Sequence, residues 1–543
     1  MKRKTAVLLT ILLVAAALRL YQLGQNPPSL DWDEASIGYN AYSILKTGKD
    51  EYGNSFPIAI RSFNDYKPPL YTYAAVSSIA VFGLTEFAVR FPSALAGILT
   101  VLVTYFLVKE LFTINKTIKQ FNNIAIAALA ALLLAISPWH LQFSRVAFEA
   151  NLALFFFTLA MYLFLKWLRS AKAVFLFGSS IAFASTMYTY HSARAVVPAF
   201  ILLMALIFRK LLVQRWKEIG LGFIVGLFLM VPIALTFIRG SAQARFSVVS
   251  VFTNPGIYTQ EQERLERQAE YRTEDSDRGS IFAPFHQRSL VFTTIIVEGY
   301  LKHFNFDFLF LRGDGIGRHS AVGMGLLYLW EFPFLLYGLY TMIKDKWSGM
   351  KLIFPWLAVA PLASALTTQA PHAVRALLML PVLQIITAYG IIHALRILKK
   401  NRYVSVFIGL LVCINFVYYL NLYYIHTPIE RSHDWQYGYK EMVEIVTSLG
   451  DDAETVIVTQ RYDQPYIFFL FYDKTDPSYY QSVAESGAAG FGKYRFRKVE
   501  YAKDSQLPRT LIIGAPDEIP SDATVLDTVK FRNGQTAFVL TRT

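Results

Sequence analysis

Cysteine is nearly absent from the chain, and charged side chains are scarce for its length. Only Cys413 occurs among 543 residues, so neither a disulfide within the chain nor a Cys-based zinc site can form. Charged residues make up 17%, against roughly 25% in a typical soluble protein. Hydrophobic residues make up 54%, and the mean hydropathy is +0.36. This composition excludes a chain that is soluble throughout and indicates a membrane protein.

The net charge of +13 does not indicate a nucleic-acid partner. A nucleic-acid surface needs basic and aromatic residues interleaved on a soluble face. Here the basic residues instead cluster in short links between apolar runs, as the positive-inside rule requires. The charge therefore reports membrane orientation.

Eleven apolar runs in the first 424 residues approach the roughly 20 residues that a membrane-spanning helix needs. These runs are Ala6–Leu23, Phe91–Val108, Ile124–Trp139, Leu152–Leu168, Val174–Tyr190, Ala195–Phe208, Ile219–Ile238, Ala321–Ile343, Leu352–Leu366, Ala376–Leu395 and Val404–Tyr424. The first run follows Met-Lys-Arg-Lys and resembles a signal peptide. We interpret it as an uncleaved span because many spans follow, with a cleaved signal as the alternative.

Two further runs, Leu70–Phe82 and Leu290–Leu311, are ambiguous, and the charge of the links decides between topologies. With both runs left out, six predicted cytoplasmic segments hold twenty Lys and Arg residues, and the short outer links hold one each: Arg145, Arg194 and Arg375. Counting Leu70–Phe82 as a span would reverse this bias. The sequence therefore predicts a surface helix there, a cytoplasmic N-terminus and an extracytoplasmic C-terminus in the plasma (inner) membrane.

The tail changes composition after the last span. Asp434 to Leu449 has the pattern of an amphipathic helix, and Thr455–Thr459, Thr510–Gly514 and Thr536–Thr541 have the pattern of strands. We predict a polytopic α-helical membrane module over 1–424, with about 11 transmembrane helices, and a small extracytoplasmic α/β domain over 425–543. The outer loops of the module are 24–90 and 239–320, and the charged stretch Glu261–Arg278 is predicted to be a loop.

Four charged residues near the predicted outer surface are candidates for chemistry. Asp33 and Glu34 follow the first span by about ten residues, Lys67 precedes Pro68-Pro69, and Glu149 opens the fourth span. Each has a simpler interpretation: the acids could cap helices, and the lysine could reach ordinary lipid headgroups. Residue chemistry alone leaves both interpretations open.

The order of these features resembles the GT-C superfamily of polyprenyl-phosphate-sugar glycosyltransferases. An acidic pair follows the first span, a Lys-Pro precedes the surface helix, and Phe82-Gly83, Glu86 and Val89-Arg90-Phe91-Pro92 open the second span. The likeness is closest to the branch of protein O-mannosyltransferases and lipid A aminoarabinose transferases. It is strong over residues 25–170, loose over the other spans and absent from the tail.

By position, the resemblance implies that Asp33 is the essential acid, with Glu34 beside it, and that Lys67 binds the donor phosphate. It also implies that Glu149 is the acid of the second outer loop. The chain departs from the pattern at Ser36-Ile37, where related transferases often have Arg-Tyr, so one donor contact is in doubt.

The residue types suit transfer from a lipid phosphate. A cation must hold the phosphate as its charge grows, and an acid must orient or deprotonate the acceptor hydroxyl. Further phosphate partners are expected at the outer links, namely Arg194, Arg318, His372 and Arg375. If a metal takes part, Asp33 and Glu149 would suit Mg²⁺ or Mn²⁺, as in some relatives, whereas others need none.

The predicted function is therefore transfer of one sugar, with inversion, from a polyprenyl-phosphate donor to an acceptor at the outer face. The acceptor could be a protein, a lipid or a wall polymer. One alternative is a transporter or flippase for a lipid-linked saccharide, which would need charged residues along mid-membrane spans and often repeats. A receptor-like membrane protein is the other alternative, and it gives no role to Asp33, Lys67 and Glu149.

Overall fold

A computed structural model of the protein describes residues 2–63, 65–114, 120–238, 250–252, 259–398, 402–449 and 452–543. Part of the predicted outer loop 239–320 lies outside the described residues, namely 239–249 and 253–258.

The described chain is mainly helical. Its α-helices are α1 Lys2–Leu20, α2 Trp32–Thr47, α3 Leu70–Phe82, α4 Glu86–Ile114, α5 Gln120–Ile136, α6 Pro138–Ser144, α7 Glu149–Ser170, α8 Ala173–Met187, α9 Ala193–Ile207, α10 Arg209–Gln214, α11 Trp216–Ile238, α12 Thr259–Asp277, α13 Arg288–Lys302, α14 Glu331–Lys344, α15 Met350–Val359, α16 Leu362–Ala365, α17 Val382–Leu398, α18 Arg402–Asn421, α19 Thr427–Glu430, α20 Tyr439–Leu449, α21 Pro465–Tyr472, α22 Pro477–Gly487 and α23 Tyr501–Asp504.

Several of these helices are apolar enough to cross a membrane. Among the described residues, five qualify by length and composition, and a sixth if Asn123–Ile136 and Pro138–Ser144, bent by 59°, form one broken span. Four shorter apolar helices, including Leu70–Phe82, fall below that length. A helical membrane protein is therefore confirmed, while the count of about eleven spans stays a prediction.

Two sequence predictions differ from the structure. Ala321–Ile343 is not one helix, because turns precede Glu331, where α14 begins. Within these turns the chain packs closely at Gly325, since a Cβ there would lie 2.4 Å from the backbone of Phe310. The charged stretch Glu261–Arg278 is not a loop either, because Thr259–Asp277 forms α12.

Contacts divide the chain into two compact units, and the predicted domain boundary at residue 424 stays a prediction. The first unit comprises 1–15, 97–141 and 150–413, and the second comprises 16–96, 142–149 and 414–543. The second unit therefore joins the predicted first outer loop, the link before Glu149 and the C-terminal tail.

The tail contains a mixed sheet. Its strands are β3 Thr455–Val458, β4 Gly490–Phe491, β5 Tyr494–Phe496, β6 Thr510–Gly514, β7 Val525–Lys530 and β8 Thr536–Arg542. They lie in the order β4-β5-β3-β6-β8-β7, with β3 parallel to β5 and β6 and the other pairs antiparallel. Ile457 and Ile512, side by side in register, form part of a buried cluster.

Strands β3, β6 and β8 and helix α20 form where the sequence predicted them, within a few residues. The pattern missed β4 and β5, which have only two and three residues, and β7, whose residues are mostly exposed. Elements so short or so polar carry little hydrophobic periodicity.

Candidate active site

The N-terminus of α2 is capped by the neighbours of Asp33, not by Asp33 itself. Asp31 Oδ1 accepts the Glu34 N–H at 2.8 Å, and Glu34 Oε2 accepts the Asp31 N–H at 3.4 Å. This reciprocal arrangement is a capping box, which satisfies two backbone donors that a helix end otherwise leaves open. The cap therefore does not require Asp33.

The carboxylate of Asp33 instead faces Lys67. Lys67 ends strand β2 (Asp65–Lys67), which pairs antiparallel with β1 (Ile60–Ser62). Its Nζ donates to Asp33 Oδ1. The Lys67 side chain is 13% exposed and that of Asp33 is 39% exposed. The aspartate side of the pair is therefore open to a substrate, whereas the lysine is mostly buried.

Glu34 lies in a different environment. Its oxygens accept two hydrogen bonds from Arg90, Nε to Oε1 and Nη2 to Oε2, each at 2.9 Å, and both side chains are buried. The Ala147 N–H adds a third bond, at 2.9 Å to Oε1. Arg90 also donates to the carbonyls of Pro27 and Ser29. Glu34 is therefore an anchor for the surrounding backbone and is not accessible to a substrate.

Glu149 belongs to the same unit and begins α7, where it is half-buried. Its position beside this cluster is evident from Tyr71, whose pKa is raised well above its usual value by burial and further by the carboxylates of Glu34 and Glu149. The Tyr71 hydroxyl donates to the Val89 carbonyl at 2.9 Å. The second outer acid thus lies near α3, the helix that follows Lys67.

Arg145, the cation predicted for the second outer link, is fully buried. Its guanidinium donates to the carbonyls of Leu18 at 2.7 Å and Asn26 at 2.8 Å. It also lies over the rings of Tyr423 and Tyr424, at 5.6 and 5.2 Å. These contacts make Arg145 a structural cation.

The tail holds α2 in place within the same unit. Gln436 Oε1 accepts the N–H of Trp32, the residue before Asp33, at 2.9 Å. A Cβ at Gly38 would lie 2.5 Å from the Phe471 ring, which shows how closely α21 approaches α2. The helix that presents Asp33 is thus supported by the C-terminal residues.

The other predicted phosphate ligands, Arg194, Arg318, His372 and Arg375, lie in the first unit. Arg194 donates from Nε to the Met187 carbonyl at 3.3 Å. Arg375 donates from Nη1 to Thr367 Oγ1 at 2.6 Å. The ring of His372 lies 5.0 Å from that of His319, the neighbour of Arg318. Two of the predicted loops therefore meet within this unit.

In the structure, Asp33 of the predicted Mg²⁺ or Mn²⁺ site is paired with a lysine. Such ions prefer several oxygen ligands with uncompensated negative charge. The Asp33 carboxylate forms an ion pair with the Lys67 ammonium, and a metal ion there would compete with that cation. A divalent cation at Asp33 and Glu149 would therefore have to displace Lys67, and this site stays a prediction.

Sequence reasoning missed the roles of Asp31, Arg90 and Gln436. The position of Arg90 did indicate a role, because a charged residue at the start of an apolar helix needs a partner. The sequence did not indicate that this partner would be Glu34, 56 residues earlier. Nothing in the sequence indicated a role for Gln436, since it lies in the tail, far from α2.

Comparisons with known proteins show which families and folds this chain resembles. Residues 66–235 match the model of the dolichyl-phosphate-mannose-protein mannosyltransferase family. The structure aligns over 99% of this chain and 97% of the other with ArnT from Cupriavidus metallidurans bound to undecaprenyl phosphate, at a TM-score of 0.55 and 13% identity. It aligns over 94% of this chain and 69% of the other with the Archaeoglobus fulgidus oligosaccharyltransferase tethered to an acceptor peptide, at a TM-score of 0.51 and 14% identity. The resemblance to the GT-C glycosyltransferases is thus confirmed.

Sequence relatives agree over a shorter region. The Bacillus subtilis (strain 168) protein named "Putative mannosyltransferase YkcB" is 28% identical over 200 residues, which is 36% of this chain and 25% of that protein. The matched regions span between 25% and 39% of the lengths of the curated relatives. The likeness therefore covers part of each relative.

Proposed function

We propose that the chain is a membrane glycosyltransferase that moves one sugar from a polyprenyl-phosphate donor to an acceptor hydroxyl at the outer face. The observation that carries the proposal is the accessible Asp33–Lys67 ion pair, held between α2 and the β1–β2 hairpin. It combines the two groups that such a transfer requires, a base and a phosphate-binding cation, in a form that a substrate can separate.

Lys67 acts on the leaving group. The bond that breaks joins the anomeric carbon to a phosphate oxygen, and the phosphate departs with the electron pair. An ammonium beside that oxygen stabilises the charge as it develops. When the donor phosphate pairs with Lys67, Asp33 loses its cation and becomes a stronger base.

Asp33 acts on the acceptor. The acceptor hydroxyl oxygen forms the new bond to the anomeric carbon, and its proton passes to the Asp33 carboxylate. No general acid is needed, because the departing phosphate is already an anion. Attack from the face opposite the phosphate inverts the anomeric centre. Glu149 is proposed as the second acid that orients the acceptor, and neither step requires a metal at Asp33.

The comparisons support a lipid-phosphate donor without identifying the sugar. The ArnT structure contains undecaprenyl phosphate, and the matching family is described by dolichyl-phosphate-mannose. A polyprenyl-phosphate mannose is therefore the first donor to test. Arg194, Arg318, His372 and Arg375 remain candidates for further phosphate contacts. The acceptor, the outward orientation of the site and the plasma-membrane location are part of the proposal.

The test uses the full chain in proteoliposomes with radiolabelled polyprenyl-phosphate mannose and a cell-envelope acceptor fraction. Lys67→Ala is compared with Lys49→Ala, because Lys49 is an exposed lysine of the same predicted loop. We expect transfer of label to the acceptor, lowered by about 10²–10³-fold in Lys67→Ala and unchanged in Lys49→Ala.

Three results would contradict the proposal. Equal transfer by Lys67→Ala and the wild type would remove the lysine from the reaction. Transfer from a nucleotide sugar alone would replace the donor class. Movement of the intact lipid-linked sugar across the bilayer, with no label on an acceptor, would favour the transporter alternative.

A further inference from the structure

Two segments of the first unit bring together one carboxylate and two imidazoles. Asp314 and His319 lie on the segment after Leu311, and His372 lies on the segment before α17. One ligand atom from each of the three side chains lies within 4.8 Å of the other two. No other cluster of three or more such groups occurs among the described residues. None of the three lies in the unit that holds Asp33 and Lys67.

Asp314 is fixed by the backbone of both segments. It stands between Gly313 and Gly315, whose positive φ angles of 72° and 77° form a turn that glycine adopts readily. Its Oδ2 accepts the Ala373 N–H at 2.8 Å, which connects the two segments. The same oxygen lies 2.7 Å from His319 Nδ1. The carboxylate is thus oriented before any ligand binds.

The two imidazoles are nearly buried. His319 is 5% exposed and His372 is 8% exposed, and their ring centroids are 5.0 Å apart. A hydrogen-bonded His–Asp pair would account for Asp314 and His319. It gives no reason for His372 to bring a nitrogen to the same point. A metal ion bound by all three side chains would account for this convergence.

A third histidine positions the second segment. His303 Nδ1 lies 2.8 Å from the Gly299 carbonyl and donates to it, so Nε2 accepts the His372 N–H at 3.3 Å. Ser364 Oγ also lies 2.8 Å from this Nε2. Contacts of this kind hold a metal ligand in the required orientation. His303 therefore acts on the backbone of His372 and is not itself a ligand.

We propose that Asp314, His319 and His372 bind a divalent transition-metal ion and that Zn²⁺ is the best match. Two imidazoles with one carboxylate suit zinc, whereas Mg²⁺ and Ca²⁺ prefer oxygen ligands. Zinc bonds of about 2.0–2.2 Å place tetrahedral ligand atoms about 3.4 Å apart. Because the three ligand atoms now lie within 4.8 Å of one another, zinc binding would require small rotations of these side chains. The metal fixes the two segments that carry Arg318 and Arg375.

Three protein ligands leave the fourth zinc position open to water or to an anion such as phosphate. This assignment makes His372 a metal ligand rather than a direct phosphate contact. The site does not depend on the proposed transfer reaction, because zinc binding can be measured without a donor or an acceptor.

The test is zinc binding to the full, tag-free chain in detergent after chelator treatment, by calorimetry and by metal analysis. We expect one Zn²⁺ per chain. Asp314→Asn, His319→Ala and His372→Ala should each weaken binding by more than 100-fold, beyond the roughly 10–100-fold loss typical of residues that only orient a ligand. His303→Gln should fall within that lower range, and His433→Ala, which removes an exposed histidine, should bind like the wild type.

A second measurement covers variants that fail to fold. Co²⁺ replaces zinc in the unmutated chain, and a tetrahedral site with nitrogen ligands gives intense visible absorption that added Zn²⁺ abolishes. The proposal is overturned if the wild type takes up no Zn²⁺ and shows no such cobalt spectrum. It is also overturned if folded variants of the three ligands bind Zn²⁺ as well as His433→Ala does.

Discussion

Asp33 and Glu34 are adjacent in sequence and lie in opposite environments. Glu34 is buried with Arg90 and accepts three well-aligned hydrogen bonds within 2.9 Å. Asp33 pairs with Lys67, and 39% of the aspartate side chain is exposed, whereas the lysine is mostly buried. The difference arises because the capping box fixes Glu34 against the backbone, and the turn of α2 then directs the preceding side chain elsewhere.

The comparison shows that ion pairs formed by two adjacent residues can have different roles. A buried pair is strongly destabilised when one partner is removed, because the other charge is left without compensation. An accessible pair contributes little to stability and can be opened. The Glu34–Arg90 pair therefore maintains the architecture, and the Asp33–Lys67 pair is the one available for chemistry.

The largest expected effect is on activity. Asp33→Asn should lower sugar transfer by about 10²–10⁴-fold, the usual contribution of a general base. Its melting temperature should fall less than that of Glu34→Ala, because the Asp33 carboxylate is partly exposed and the asparagine oxygen can still accept a hydrogen bond from Lys67. Transfer and thermal unfolding are measured on the same preparation, with Asp522→Asn, an exposed acid of the tail, as the matched control. Near-normal transfer by Asp33→Asn would contradict the role of Asp33 as the base.

Removal of Glu34 should act on stability instead. Glu34→Ala leaves Arg90 buried without its partner, and we expect the free energy of unfolding to fall by roughly 3–5 kcal/mol. Denaturant unfolding in detergent measures this loss. Glu441→Ala, on helix α20 in the same unit, serves as the control. A Glu34→Ala protein as stable as this control would show that the buried pair is not an anchor.

A third acid, Glu51, extends the comparison to a buried carboxylate that has no ion pair with a cation among the described residues. Its pKa is raised to about 8, mainly because it is buried, although a hydrogen bond from Asn40 opposes this shift. Between about 4.5 and 8 the folded chain therefore keeps a proton that the unfolded chain has released. The free energy of unfolding should fall as pH rises through this window. Glu51→Gln should flatten that dependence, and a slope equal to that of the wild type would contradict the assignment.

The smallest effect is expected at a surface ion pair. Lys440 Nζ lies 2.9 Å from Glu86 Oε1, and its side chain is 53% exposed. Lys440→Ala should change the free energy of unfolding by less than about 1 kcal/mol. The same denaturant series measures it. A loss as large as that of Glu34→Ala would show that exposure does not separate the two kinds of pair.

Much of this arrangement could be predicted from local pattern and from the order of motifs. Asp33, Lys67 and Glu149 followed from their spacing around the first spans, and strands β3, β6 and β8 followed from apolar runs. The structure places the first two side chains in contact, as the central electrostatic hypothesis required for them.

What could not be predicted depends on contacts between distant segments. The Glu34–Arg90 pair joins positions 56 residues apart, and the support of α2 by Gln436 joins positions 404 apart. The sequence singled out His372 and His319 separately, but only the folded loops bring them to Asp314. Apolar composition likewise did not reveal the turns that precede Glu331 in the predicted span Ala321–Ile343.

A high-resolution structure of the full chain with undecaprenyl phosphate tests the central claim most directly. The account predicts lipid phosphate density on Lys67 Nζ, with Asp33 released from the lysine and the Glu34–Arg90 pair unchanged. Phosphate bound elsewhere, while the Asp33–Lys67 pair stays closed, would contradict it.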